Sequence, residues 1–123
     1  MAYQSFDELE VWKRSCRLAV DITRALSATK QFALRDQMVR AAVSIPSNIA
    51  EGAERDSQRD FIRFLRIAKG SAAELRTQSY IASRLEIRDK ASAEKLIRET
   101  KEISAMLQGL IRSLSPQQLN TEH

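Results

Sequence analysis

Apolar residues recur every three or four positions along most of the chain, a spacing typical of amphipathic α-helices. Four such segments are separated by short polar stretches. They predict helices over about 7–27, 34–53, 58–86 and 90–114. Since few glycines and prolines interrupt the pattern and nothing in it suggests a sheet, the sequence predicts an all-α fold with four helices.

The second segment carries a proline in the middle of its apolar pattern. Pro46 removes the amide that would bond the carbonyl of Ala42, at a cost of about 3 kcal/mol inside a helix. One kinked helix and two short helices, the second capped by Ser44, are the alternatives. The apolar spacing passes through the proline without a shift in phase, which favours the kinked helix. The apolar positions are Met38, Ala41, Ala42, Ile45, Ile49 and Gly52.

Polar residues line up beside this apolar stripe, namely Ser44, Asn48, Glu51 and Arg55. In one interpretation Ser47, Asn48 and water satisfy the carbonyls freed by Pro46. In the other, the polar residues form a contact surface for a partner.

The first segment has two apolar stripes about 100° apart around the helix. The first is assigned to the bundle core and consists of Leu9, Trp12, Cys16, Ala19, Thr23 and Leu26. The second consists of Val11, Ser15, Leu18, Ile22 and Ala25. We expect Val11, Leu18 and Ile22 to pack against another subunit, because one bundle core needs only one stripe per helix. The alternative is a broad core face that contacts two neighbouring helices of the same chain.

The third segment has a core stripe and a distinct outer face. Ser57 offers an N-cap to this helix, and Asp89 marks the start of the fourth. The outer face begins with Arg59, Arg63 and Arg66 and continues with Gly70, Ala73 and Thr77. A glycine inside a helix costs about 1 kcal/mol relative to alanine, so we expect a neighbouring subunit to approach Gly70, Ala73 and Thr77 closely. The alternative is that Gly70 is merely tolerated.

Most of the excess positive charge lies in the third segment. The chain has a net charge of +4, and residues 56–88 hold seven basic and four acidic side chains, which leaves +3 there. Arginine forks suit phosphate oxygens, which makes this face a candidate nucleic-acid interface. The candidate residues are Arg55, Arg59, Arg63, Arg66 and Lys69. The alternative is a solvated face partly neutralised by Asp56 and Asp60.

Other classes of protein are disfavoured by what the sequence lacks. It has no glycine-rich phosphate loop, no Cys/His cluster and no nucleophile with a plausible base, so we expect no enzyme, no cofactor and no metal. Its single cysteine, Cys16, forms no internal disulfide and suits a reducing cytoplasm. No apolar run approaches the ~20 residues of a membrane helix, so no membrane partner is expected. We expect one domain over 1–123, with an ordered core of about 6–114 and a tail over 115–123.

Three stretches of the sequence resemble the 23S rRNA intervening-sequence protein family of bacterial four-helix-bundle proteins. They are residues 7–12, 37–52 and 61–71. The most specific of them contains Ser44, Ile45, Pro46, Ser47, Asn48, Glu51 and Gly52. The resemblance implies an up-down-up-down bundle, commonly assembled as a homopentameric ring, and a related branch of accessory variability proteins binds nucleic acid and a reverse transcriptase. The sequence departs from the family pattern at Val39, where a first basic residue often precedes Arg40, and at Leu85–Ile87, where Gly-Tyr is frequent.

The residues and the resemblance together predict a non-catalytic, homo-oligomeric cytoplasmic protein whose basic face binds RNA or other nucleic acid. Its expected partners are further copies of itself, five in all if the resemblance holds, and RNA or DNA. The alternative is a protein-interaction scaffold that binds a partner protein and has no nucleic-acid activity.

Overall fold

The computed structural model describes residues 5–115, and within that range it contains helices and no strand. After a 3₁₀ turn at Phe6–Glu8, helix α1 spans Glu10–Ala25 and α2 spans Phe32–Ala53. Helix α3 spans Gln58–Arg84 and α4 spans Lys90–Leu114. The all-α prediction is confirmed. The predicted tail over 115–123 lies outside the described residues except for Ser115, which caps the end of α4.

The helices pack in chain order around one apolar core. Helix α2 packs on α1 and extensively on α3, α3 packs extensively on α4, and α1 packs less closely on α4 than on α2. All four helices contribute to the same buried cluster, in which Ile45, Leu65 and Ile103 are completely enclosed. The up-and-down helix directions implied by the resemblance, and the single-domain boundaries, stay predictions.

Helix α2 continues through Pro46 without a break, so one helix is confirmed and the two-helix alternative is wrong. The angle of a kink at this position stays a prediction. Asn48 donates hydrogen bonds from Nδ2 to the carbonyl and the hydroxyl oxygens of Ser44, at 2.8 and 2.9 Å. The Ser44 hydroxyl in turn shares a 2.8 Å hydrogen bond with Ser71 of α3. The Asn48 side chain therefore bonds the Ser44 carbonyl, and not the Ala42 carbonyl that Pro46 leaves without its amide partner. The hydrogen bond between Ser44 and Ser71 joins α2 to α3.

The interface assignment for α1 is corrected by the structure. Val11, Leu18 and Ile22 are only 4%, 5% and 2% exposed and belong to the core of their own chain. They offer almost no surface to a second subunit. Conversely Thr23, assigned to the core, is exposed. The core face of α1 is therefore centred on the second stripe, which corresponds to the broad-face alternative.

The starts of α3 and α4 follow the local sequence signals. Ser57 accepts a hydrogen bond at Oγ from the Asp60 amide at 3.1 Å, and Asp89 accepts one from the Ser92 amide at 2.8 Å. Each cap satisfies an amide that the first helical turn leaves without a partner. Ser57 stabilises the start of α3, which carries the candidate arginines. Asp89 stabilises the start of α4, which packs beside α3.

Candidate nucleic-acid interface

The outer face of α3 presents three arginines to solvent. Arg59, Arg63 and Arg66 are exposed, and helical spacing places them within about 60° of one another around the axis. Among the described residues, no carboxylate lies within ion-pair distance of Arg59 or Arg66. These two guanidinium groups are therefore free to bind an anion.

Arg55 and Arg63 come together around the ring of Phe64. Their guanidinium carbons lie 4.7 and 4.6 Å from the ring centroid. Arg55 also pairs with Glu51 at 3.6 Å, and Arg63 pairs with Asp60 at 3.7 Å. Because exposed ion pairs contribute little, about 0–1 kcal/mol, phosphate could displace either carboxylate. The structure thus joins Arg55 to the α3 arginines, and it shows the expected neutralisation by Asp60 but Glu51 in place of Asp56.

Lys69 is separated from this group of arginines. Its ammonium group donates a 2.7 Å hydrogen bond to Oε1 of Gln108 on α4, and the residue is half-buried. Sequence spacing suggested a fifth member of the basic face. The structure instead shows a lysine that links two helices.

Small residues continue the outer face of α3 beyond the arginines. Gly70, Ala73 and Thr77 lie on this face, and a Cβ built on Gly70 would meet no atom within 4 Å. Large apolar side chains flank them, and sequence reasoning overlooked the aliphatic ones. The flanking side chains are Ile67, Tyr80, Ile81 and Leu85, each at least 43% exposed. The sequence signal that could have revealed them is the presence of large apolar residues outside the core stripe of this helix.

A second apolar surface lies where α1 meets α2. Val20 and Val43 are 46% and 45% exposed and line one shallow groove of about 290 Å³ with Ala19, Thr23 and Arg24. Sequence reasoning also overlooked this pair, because Val20 and Val43 belong to different helices. The two apolar surfaces therefore occupy different parts of the bundle.

Two titratable groups on α1 have pKa values above their ordinary values. Arg14 binds Glu99 of α4 through Nε and Nη2, at 3.1 and 2.6 Å, and Nη2 also lies 3.0 Å from Glu102. The hydrogen bonds to Glu99, and next the one to Glu102, raise the pKa of the Arg14 guanidinium, so Arg14 stays charged and joins α1 to α4. Burial raises the pKa of the Cys16 thiol. This shift keeps the thiol protonated and disfavours nucleophilic chemistry.

The described residues contain no group of His, Cys, Asp and Glu side chains that could hold a metal ion. Within the same range, none of the helices combines the length and the apolar character needed to cross a bilayer.

The sequence stretch that most specifically resembles the family, within residues 44–52, lies in α2. Ile45, Pro46 and Gly52 are buried in α2, and Ser44 and Asn48 form the network that reaches α3. Ser47 and Glu51 are exposed. Ser44 and Gly52 of this stretch therefore make direct contacts between α2 and α3.

The fold and its faces define a small all-α, four-helix-bundle protein. The sequence profile of the 23S rRNA-intervening sequence protein family matches residues 7–109, and the chain belongs to that family. Its structure is similar to a crystal structure of a protein of unknown function from the S23 ribosomal protein family of Bacteroides thetaiotaomicron. The TM-score is 0.78 at 28% sequence identity, over 82% of this chain and 97% of the other. No curated protein sequence matches the chain.

Proposed function

We propose that the protein is a non-catalytic homo-oligomer that binds RNA or another nucleic acid through the outer face of α3. The observation that carries this proposal is the exposed group of Arg59, Arg63 and Arg66, in which two guanidinium groups lack an ion-pair partner within residues 5–115. The family's name refers to intervening sequences of 23S rRNA, which makes RNA the first polymer to test.

The apolar surfaces support self-association. The α3 surface around Ile81 and the α1–α2 surface around Val20 and Val43 are different patches, so one could dock on the other in a neighbouring subunit. Such a head-to-tail contact generates a ring when its rotation closes. The pentamer in particular rests on the family resemblance. A ring would also repeat the arginine group once per subunit and strengthen weak contacts through avidity.

A titration of labelled RNA and duplex DNA tests the nucleic-acid part of the proposal. Changing Arg59, Arg63 and Arg66 together to Gln removes three charges and retains good helix formers, so the fold should survive. The matched control removes three exposed charges from α4, by changing Arg98, Lys101 and Arg112 to Gln. We expect the first variant to lose most of the binding and the control to retain it. Equal binding by both variants would contradict the proposal.

The scaffold without nucleic-acid activity is the second candidate. It is favoured by the exposed apolar side chains of α3 and by the ion pairs that Arg55 and Arg63 already make. It predicts that wild-type protein binds neither polymer at low salt. In that case the apolar face of α3 would serve protein contacts alone.

A further inference from the structure

The weakly packed side of the bundle, between α1 and α4, contains a charged groove. It has a volume of about 660 Å³ and lies at the end where α1 finishes and α4 begins, since Ala25 and Ser92 both line it. Its floor is formed by Leu18, Ile22 and Leu96, which are buried. The volume falls within the range of about 300–1,000 Å³ that is usual for small-molecule sites.

Four cationic side chains line this groove. They are Arg17 and Arg24 of α1, Arg88 of the turn before α4, and Lys95 of α4. Within residues 5–115, none of the four has a carboxylate at ion-pair distance. Two acidic side chains, Asp21 and Glu99, also line the groove.

The negative charge of Glu99 is partly compensated. Both of its carboxylate oxygens accept hydrogen bonds from Arg14, at 2.6 and 3.1 Å. Arg14 itself does not line the groove, and neither does Glu102, its other partner. With Asp21 and Glu99 both counted in full against the four cations, the groove carries an excess of positive charge.

Arg88 provides a second, independent observation. Its Nε is buried and has no hydrogen-bond partner among the described residues. A buried donor without an acceptor is unfavourable, and a shift of the guanidinium group toward an anion in the groove would relieve it. The neighbouring Asp89 carboxylate interacts electrostatically with Arg88 but bonds the Ser92 amide and hydroxyl, and it leaves Nε of Arg88 without an acceptor.

We propose that the α1–α4 groove binds a small polyphosphate anion, held by Arg17, Arg24, Arg88 and Lys95. Planar guanidinium forks match phosphate oxygens in pairs, and a lysine adds a point charge. The concave shape distinguishes this site from the convex α3 face. The proposal does not depend on nucleic-acid binding by α3.

Isothermal titration calorimetry of the full chain with inorganic triphosphate tests this site. We expect Arg88→Gln with Lys95→Gln to weaken binding by roughly tenfold or more, because each change removes a charge-assisted contact. The matched control, Lys101→Gln with Arg112→Gln, removes the same charge from exposed positions of α4 outside the groove and should stay within about twofold of wild type. Circular dichroism of both variants verifies that the helices are retained.

A parallel titration with adenosine triphosphate distinguishes the source of the polyphosphate. Tighter binding of the nucleotide would assign a nucleotide whose base contacts the apolar floor, and equal binding would assign a polyphosphate alone. Amide chemical-shift changes in the wild-type protein should concentrate at Ala25, Ser92 and Leu96. Absence of binding, equal weakening by both double variants, or shifts centred on α3 would each overturn the proposal.

Discussion

Gly52 of α2 lies directly against Phe64 of α3. A Cβ built on Gly52 would stand 2.6 Å from the Cβ of Phe64 and 3.1 Å from Cδ1 of Phe61. The two helices approach this closely only because residue 52 has no side chain. Since Arg55 and Arg63 both lie over the Phe64 ring, the same contact positions part of the basic face.

Gly52→Ala should therefore destabilise the protein, although alanine is the better helix former. Overpacking of this kind costs about 1–3 kcal/mol, against a gain of about 1 kcal/mol from helix propensity. The control is Gly109→Ala in α4, where an added Cβ meets nothing within 4 Å. Urea unfolding at one fixed protein concentration should show a lower midpoint for the first variant and an unchanged or higher one for the control. A higher midpoint for Gly52→Ala would contradict the close approach.

Gly70→Ala distinguishes an effect on the stability of one chain from an effect on the assembly of several chains. The position is open within the chain, so the alanine should stabilise the helix by up to about 1 kcal/mol. If a neighbouring subunit approaches this face, the added methyl group should weaken the oligomer at the same time. Light scattering on the eluting peak should then report a lower mass than for Gly109→Ala. Identical masses would remove Gly70 from the interface.

Pro46→Ala tests whether the proline shapes the assembly. The substitution restores an amide that can bond the Ala42 carbonyl, so helical content should be retained or should rise. If a bend at Pro46 sets the subunit shape, the oligomer should dissociate at concentrations where wild type is assembled. Ser47→Ala, at an exposed neighbouring position, is the control. An unchanged oligomer would mean that the proline affects local geometry alone.

The Asp89 cap predicts a pH-dependent part of the stability. The hydrogen bonds from the Ser92 amide, and next those from its hydroxyl, hold the pKa of the Asp89 carboxyl below its ordinary value of 3.8. A lowered folded-state pKa stabilises the fold above pH 3.8, and this contribution disappears as the pH falls through the lower value. Asn also caps helices but does not titrate there. Asp89→Asn should therefore melt below wild type at pH 7, and the difference should shrink in strong acid; a constant difference would contradict the linkage.

Local signals made much of this fold predictable. The caps at Ser57 and Asp89, the continuous α2 and its buried stripe all depend on residues within a few positions of one another. The register of α1 was not predictable in this way, because both of its stripes are apolar. Which stripe faces the core depends on where α2 and α4 lie, which is a tertiary relationship.

The candidate site also combines features that local sequence predicts with features that depend on tertiary packing. Helical spacing was sufficient to place Arg59, Arg63 and Arg66 on one exposed face. It could not show that Lys69 turns to Gln108, which is 39 positions away in the sequence. The α1–α4 groove was hidden for the same reason, because its charges come from segments that are distant in sequence.

The salt dependence of RNA binding tests the central claim most directly. Each phosphate bound by a cationic side chain releases counterions, so the logarithm of the affinity should fall linearly with the logarithm of the salt concentration. For single-stranded RNA, the change of Arg59, Arg63 and Arg66 to Gln should reduce the slope by about 0.7 for every phosphate that the variant no longer neutralises. The α4 control, with Arg98, Lys101 and Arg112 changed to Gln, should keep the wild-type slope. A wild-type protein whose RNA affinity does not vary with salt, or equal slopes for all three proteins, would contradict the account.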